Sequence, residues 1–192
     1  MIKAIIFDIG GVICPDIYAE NIDTFCKWYR TDKKKLHQAW YDHWNDWKYN
    51  KIDGLQFFSK ISKDLNTPID PKKIIEATFD MIWIDNDLLD YIKNLKDHRL
   101  AILSNNTEEW VSYQKKQFGQ IFDIWTTSDQ ESCGKPDPAI YLTCIDRLQI
   151  PADQCLFIDN TQENLDTAEK LGMKTILYKN FNNLKEKMKE FL

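Results

Sequence analysis

Four short segments of this chain carry residues suited to anion chemistry. Asp8 stands in Phe7-Asp8-Ile9-Gly10-Gly11-Val12. A carboxylate at the end of an apolar run can act as a nucleophile while the backbone N–H groups of a glycine loop cradle an anion. Ser104-Asn105 closes a second apolar run and offers a hydroxyl and an amide N–H suited to phosphate oxygens. Lys135, in Gly134-Lys135-Pro136-Asp137-Pro138, offers a point charge on a loop stiffened by proline. Asp159, in Phe157-Ile158-Asp159-Asn160, adds the second hard carboxylate that a magnesium ion needs. Singly, each has a plainer reading: Ser104 or Asp159 caps a helix, and Lys135 is a surface lysine. Asp137 reads as a cap or turn residue between its two prolines. Together and in order, the four segments make accident the poorer explanation.

The elements that must position these residues are legible as alternating strands and helices. Lys3–Asp8 is a short apolar run ended by glycines, the pattern of a buried parallel strand and a tight loop. Arg99–Ser104, Cys155–Asp159 and Lys174–Tyr178 repeat it, and 121–126 is a weaker candidate. Helical spacing covers Glu108–Gln117, Pro138–Leu148 and Asn164–Leu171, with Gly172 as a stop for the last. Alternation of this kind predicts an α/β fold, an open parallel sheet with helices on both faces. Such sheets bind ligands at the carboxyl ends of their strands, where Asp8, Ser104 and Asp159 all fall.

The stretch from about 16 to 85 breaks the alternation. It holds no convincing strand and is rich in aromatics and lysine, so it reads as a helical insertion of about four helices. Asp70 is a fitting cap for a helix with Pro71 at its first position. Trp40, Trp44 and Trp47 share one helical stripe with His43 beside them. Packing between helices is the plain reading; the sharper one turns one or two of these rings toward Asp8.

Composition sets outer limits. The 192 residues are 43% apolar and 29% charged, which excludes disordered, collagen-like and membrane-bundle classes. Runs such as Ala4–Phe7 are far shorter than the ~18 residues of a membrane span. A net charge of -5 gives no basic footprint for nucleic acid. Met1 runs almost directly into the first strand, so no leader is expected. Five cysteines, without a C-x-x-C pair, predict reduced thiols in a cytoplasmic setting rather than a disulfide framework. Cys14, six residues after Asp8, reads as a small packed thiol.

The four motifs in this order, with a helical insertion between the first two, resemble the haloacid dehalogenase-like (HAD) hydrolase superfamily, in the subgroup with an α-helical cap. The resemblance implies a Rossmann-like core from residues 1–15 and 86–192 and a cap from 16–85. It implies that Asp8 attacks phosphorus to form an aspartyl-phosphate, with Lys135 offsetting charge. Ser104, Asn105 and the Gly11 backbone would hold the phosphoryl group, and Asp8, the Gly10 carbonyl and Asp159 would coordinate Mg²⁺. The expected activity is a Mg²⁺-dependent phosphatase acting on a small phosphorylated metabolite, with no nucleic-acid or membrane partner. Two positions depart from the family pattern. Gly10 stands where family phosphatases usually carry a second Asp as general acid and base, a function typically worth ~10²–10⁴-fold. Asn160 stands where an Asp-Asp pair is common. Two alternatives stay open: a metal-independent 2-haloacid dehalogenase using the same Asp8, and a weakly catalytic binding or regulatory protein. Against the first, only Arg30 of the three arginines lies in the insertion, where a carboxylate clamp is expected.

Overall fold

The computed structural model describes residues 1–192. Strand β1 (Ala4–Phe7) is followed by four helices, α1 (Ile17–Tyr29), α2 (Lys33–Lys48), α3 (Gly54–Asp64) and α4 (Pro71–Asp80). Then come α5 (Asn86–Lys93), β2 (Arg99–Ser104), α6 (Glu108–Phe118), β3 (Ile124–Thr127), α7 (Ser128–Glu131) and α8 (Pro138–Leu148). The chain closes with β4 (Cys155–Asp159), α9 (Gln162–Lys170), β5 (Lys174–Leu177) and α10 (Phe181–Met188). The five strands form one parallel sheet in the order β3-β2-β1-β4-β5.

Sequence alternation decides which face each strand residue serves. Ile5 and Phe7 of β1, Ile102 of β2 and Ile158 of β4 join the larger apolar cluster beneath α5, α6 and α10. Ala4, Ile6, Leu103 and Phe157 point the other way, into a smaller cluster with Ile140, Tyr141 and Cys144 of α8 and Leu165 of α9. The period of two puts successive side chains on opposite faces, so a strand buried on both sides must be apolar throughout. All four residues of β1 are fully buried. This explains why the four main runs were recognisable and why β3, whose Ile124 and Trp125 are only half-buried, was weaker. Its observed span begins and ends slightly later than the expected one. Helices α5, α7 and α10 were not expected from the sequence.

Register delivers the motifs to one edge. Phe7 pairs with Ile102 on one side and Ile158 on the other, so Asp8 emerges beside the ends of β2 and β4. The Asp8 N–H still donates to the Ile158 carbonyl at 2.9 Å, holding it to the sheet.

Helices α1–α4 run from residue 17 to 80 between β1 and β2, each opened by an aspartate cap: Asp16, Asp32, Asp53 and Asp70. Pro71 occupies the first turn after Asp70. Two ties fix this segment to α6. Glu109 accepts from Trp47 Nε1 at 3.0 Å and from Gly54 N at 2.7 Å, and Trp110 Nε1 donates to Thr78 Oγ1 at 3.0 Å. The Trp stripe is packed as the plain reading holds: Trp40 and Trp47 are fully buried against Phe57 and Phe58. His43 pairs with Asp64 at 2.7 Å. No helix is long and apolar enough to cross a membrane.

Truncating a fully buried strand residue tests this two-sided core. Ile6→Ala should cost about 2–5 kcal/mol in urea unfolding. Leu55→Ala, at a 47% exposed position on α3, should change stability by no more than ~0.5 kcal/mol.

Candidate active site

The loop after β1 is built around one carbonyl. Ile9 O accepts from the N–H groups of Val12, Ile13 and Cys14 at 2.9–3.1 Å, and Gly11 N donates to Cys14 O at 2.7 Å. Gly11 has φ +75°, and a Cβ there would lie 2.0 Å from Asn160 Nδ2. Only glycine meets both demands. The Gly11 N–H is therefore consumed within the loop. Gly10 is the free member: neither its N–H nor its carbonyl has a hydrogen-bond partner in the protein.

At the strand ends the structure brings Asp8, Lys135 and Asp159 into one buried cluster. Lys135 Nζ lies 2.9 Å from Asp8 Oδ1 and 2.6 Å from Asp159 Oδ2, with all three side chains nearly inaccessible. Asp159 is saturated. Its Oδ1 accepts from Thr161 N and Asn164 Nδ2, and its Oδ2 accepts from Lys135 Nζ and Asn164 Nδ2, at 2.6–3.1 Å. Asn164, which the sequence offered only as the start of a helical run, orients that carboxylate.

Asn105 does its positioning through its side chain. Its Nδ2 donates to Lys135 O and its Oδ1 accepts from Lys135 N, both at 2.8 Å, so it pins the loop that carries the lysine. Gly134 is needed for this approach, since a Cβ there would meet Asn105 Oδ1 at 2.5 Å. The Asn105 backbone N–H has no partner in the protein. Asp137 caps α8, accepting from Ala139 N at 2.9 Å, as its turn context suggested.

The electrostatics follow from burial. Two carboxylates share one ammonium, leaving one negative charge in excess. Burial raises Asp8 to about 6; Lys135 opposes that rise, Asp159 adds to it, and hydrogen bonds from Lys135 and Ser104 again oppose it. For Lys135, burial pulls downward, but Asp159 and Asp8 outweigh it and hold the ammonium above its ordinary range. Cys14 is pushed up to about 12 by burial, which leaves it a packed thiol rather than a nucleophile. All five cysteines are free.

A cavity of about 230 Å³ opens over this cluster. Its floor includes Asp8, Gly10, Asn105 and Lys135, with Asn160, Thr161 and Asn164 at one side. Ser104, Gly11 and Asp159 lie behind that surface and do not line it. Ser104 stands 1% exposed against Asp8, and α6 starts only after Thr107, so Ser104 does not cap it. The opposite wall comes from Pro15–Tyr18, from Trp40, Tyr41 and Trp44 of α2, and from Trp110 and Gln114 of α6. Trp40 and Trp44 thus serve both packing and the cavity wall, while Trp47 does not reach it. Tyr18, Tyr41, Trp110 and Gln114 carried no signal in the sequence, because helical spacing does not say which side of a helix meets a cavity.

Residues 2–172 match the family model for haloacid dehalogenase-like hydrolases. Among curated proteins, the chain is 34% identical over 86 residues to acyl-CoA dehydrogenase family member 10 of Mus musculus, covering 42% of this chain and 8% of that protein. It is 28% identical over 94 residues to putative phosphatase YhcW of Bacillus subtilis, covering 47% and 43%. It is 29% identical over 94 residues to (S)-2-haloacid dehalogenase 4A of Burkholderia cepacia, covering 47% and 41%. The matched region thus spans less than half of each relative. Among solved structures, a predicted HAD-like family hydrolase from Porphyromonas gingivalis superposes with TM-score 0.81 at 24% identity, covering 100% of this chain and 98% of that one. HAD family enzyme bt-2542 from Bacteroides thetaiotaomicron, complexed with magnesium and inorganic phosphate, gives 0.77 at 19%, covering 96% and 99%.

The burial of Asp8, with Asp159 beside it, makes a stability prediction for metal-free protein. Asp8 titrates near 6 when folded and near ~3.9 when unfolded, so the folded state binds the extra proton between those values. Its contribution to stability is present at low pH and lost as pH rises through 6. In chelator, Asp8→Asn should therefore melt a few degrees above the parent at pH 8, with the gap shrinking at pH 5. A gap independent of pH in thermal melts would contradict this electrostatic account.

Proposed function

The chain belongs to the haloacid dehalogenase-like hydrolase family, and on that premise we propose a phosphomonoesterase with Asp8 as nucleophile and a small phosphorylated substrate. The observation that carries the reading is the sharing of Lys135 between Asp8 and Asp159 beneath a cavity bordered by two free backbone N–H groups, Gly10 and Asn105. Ionised Asp8 attacks phosphorus, the ester P–O bond breaks and the alcohol leaves with a proton taken from water, and a second water then hydrolyses the aspartyl-phosphate to free Asp8 and inorganic phosphate. The N–H groups of Gly10 and Asn105 bind phosphoryl oxygens. Ser104, behind Asp8, favours its charged form and holds its orientation. Lys135 offsets charge on the nucleophile. Residues 16–85 act as a cap over a core formed by 1–15 and 86–192. The five free thiols fit a reducing, cytoplasmic setting.

The donor chemistry fits Mg²⁺. Lys135 is already spent on two carboxylates, so an incoming phosphate dianion meets surplus negative charge. No three His, Cys, Asp or Glu side chains converge. The hard oxygens available are those of Asp8, the unpartnered Gly10 carbonyl and Asp159. Asp159 joins such a set only by releasing one of its present donors, whereas the Asn160 amide already lines the cavity beside Gly10. Bound there, a divalent cation supplies charge neutralisation of the transferring phosphoryl group. The dehalogenase alternative has relatives behind it, but a haloacid needs a partner for its carboxylate. Lys135 is the only cation lining the cavity.

Phosphate release from a panel of phosphomonoesters tests this reading. Release should require Mg²⁺ and fall at least ~10³-fold in Asp8→Asn. Halide release from 2-haloacids without metal, and no phosphate from any ester, would overturn it. A Cβ at Gly10 meets nothing within 4 Å, so Gly10→Asp should be accommodated. With a general acid restored there, turnover of poor leaving groups should rise, by up to ~10²-fold in steady-state assays.

A further inference from the structure

The cavity wall opposite Asp8 has a chemical character that the proposed reaction does not require. Its rings, Tyr18, Trp40, Tyr41, Trp44 and Trp110, present apolar surface and electron-rich faces. Its one charged side chain is Asp16, which caps α1 by accepting from Ala19 N at 2.8 Å. Glu20, outside the cavity lining, accepts from Asp16 N at 3.0 Å through its Oε1, so a second carboxylate stands behind Asp16. The field of Asp16 reaches the wall: after burial, it helps hold the Tyr41 phenol above its ordinary value.

The amides near the floor are largely committed. Asn105 is paired at both ends with Lys135 backbone, Asn106 Nδ2 donates to Gln114 Oε1 at 2.9 Å, and Asn164 holds Asp159. A second anion on a bound ester thus finds rings and a carboxylate, with no cation to pair it. An unpaired charge in such a site is strongly disfavoured. The volume also lies below the ~300–1,000 Å³ of pockets for drug-sized ligands, which suits a small substrate.

We propose that this site selects substrate by charge: it takes the monophosphate of a small alcohol that carries no negative charge of its own, and Asp16 enforces the exclusion. The proposal rests on the phosphatase reading and deepens it.

A matched pair of esters provides the test: glycerol 3-phosphate and 3-phosphoglycerate differ in a terminal carboxylate. With Mg²⁺, kcat/KM for the phosphoglycerate should be at least ~10-fold lower. Asp16→Asn keeps a capping oxygen while removing the charge, and it should narrow the ratio at least ~3-fold, whatever it does to the absolute rates. Tyr41→Arg, at a 50% exposed wall position, adds a cation and should narrow it independently. Equal or better turnover of the phosphoglycerate by the parent overturns the proposal, as does a ratio unmoved by both variants. Binding of the two esters to Asp8→Asn by calorimetry gives a second readout. If no ester is hydrolysed, the phosphatase reading fails by itself. Weaker binding of the phosphoglycerate would still support charge selection, and equal binding would overturn it.

Discussion

One buried ammonium organises this molecule. Lys135 lies between Asp8 and Asp159, each within 3 Å, where water reaches little more than the edge of Asp8. Taking such charges out of water is costly, and the cost is met only with close geometry and full hydrogen bonding. Much of the surrounding structure serves that condition. Asn164 and Thr161 satisfy the remaining acceptors of Asp159, Asn105 clamps the backbone of Lys135, and the Ile9 N–H holds Asp8 Oδ1 at 2.7 Å. The residual negative charge is the feature with chemical consequence, because no group within the cluster neutralises it.

The sheet makes the cluster possible. A central strand flanked by β2 and β4 in parallel register places three loops side by side at one edge, and buried apolar strands leave those loops little freedom to drift. The groups at that edge are therefore fixed before any ligand arrives. The helices inserted after β1 are bound to this scaffold by Glu109 and Trp110 of α6, the helix that follows the Ser104 strand. The cavity wall and its floor are thus tied through one element, and the wall, aromatic and anionic, faces a floor that holds the one buried ammonium.

The amino-acid order already determined the sheet, because two-sided burial forces runs such as Ala4–Phe7 and Cys155–Asp159 to be apolar throughout and to end abruptly in loop residues. It also determined that Asp8, Ser104 and Asp159 fall at strand ends on one edge, whereas Lys135, on a loop beyond a strand, was tied to them only by the order of the motifs. What only the tertiary structure decided is how each group is spent. Gly11 donates its N–H within the loop and Gly10 keeps its own free, Asn105 works through its side chain on Lys135, and Asp159 turns inward, leaving Asn160 on the cavity wall. Tyr18, Tyr41, Trp110 and Gln114 were silent for the same reason. Local sequence fixes a residue's element and its face, but hydrogen-bond partners and exposure to a cavity depend on neighbours distant in the chain, and those are set only when the helices pack.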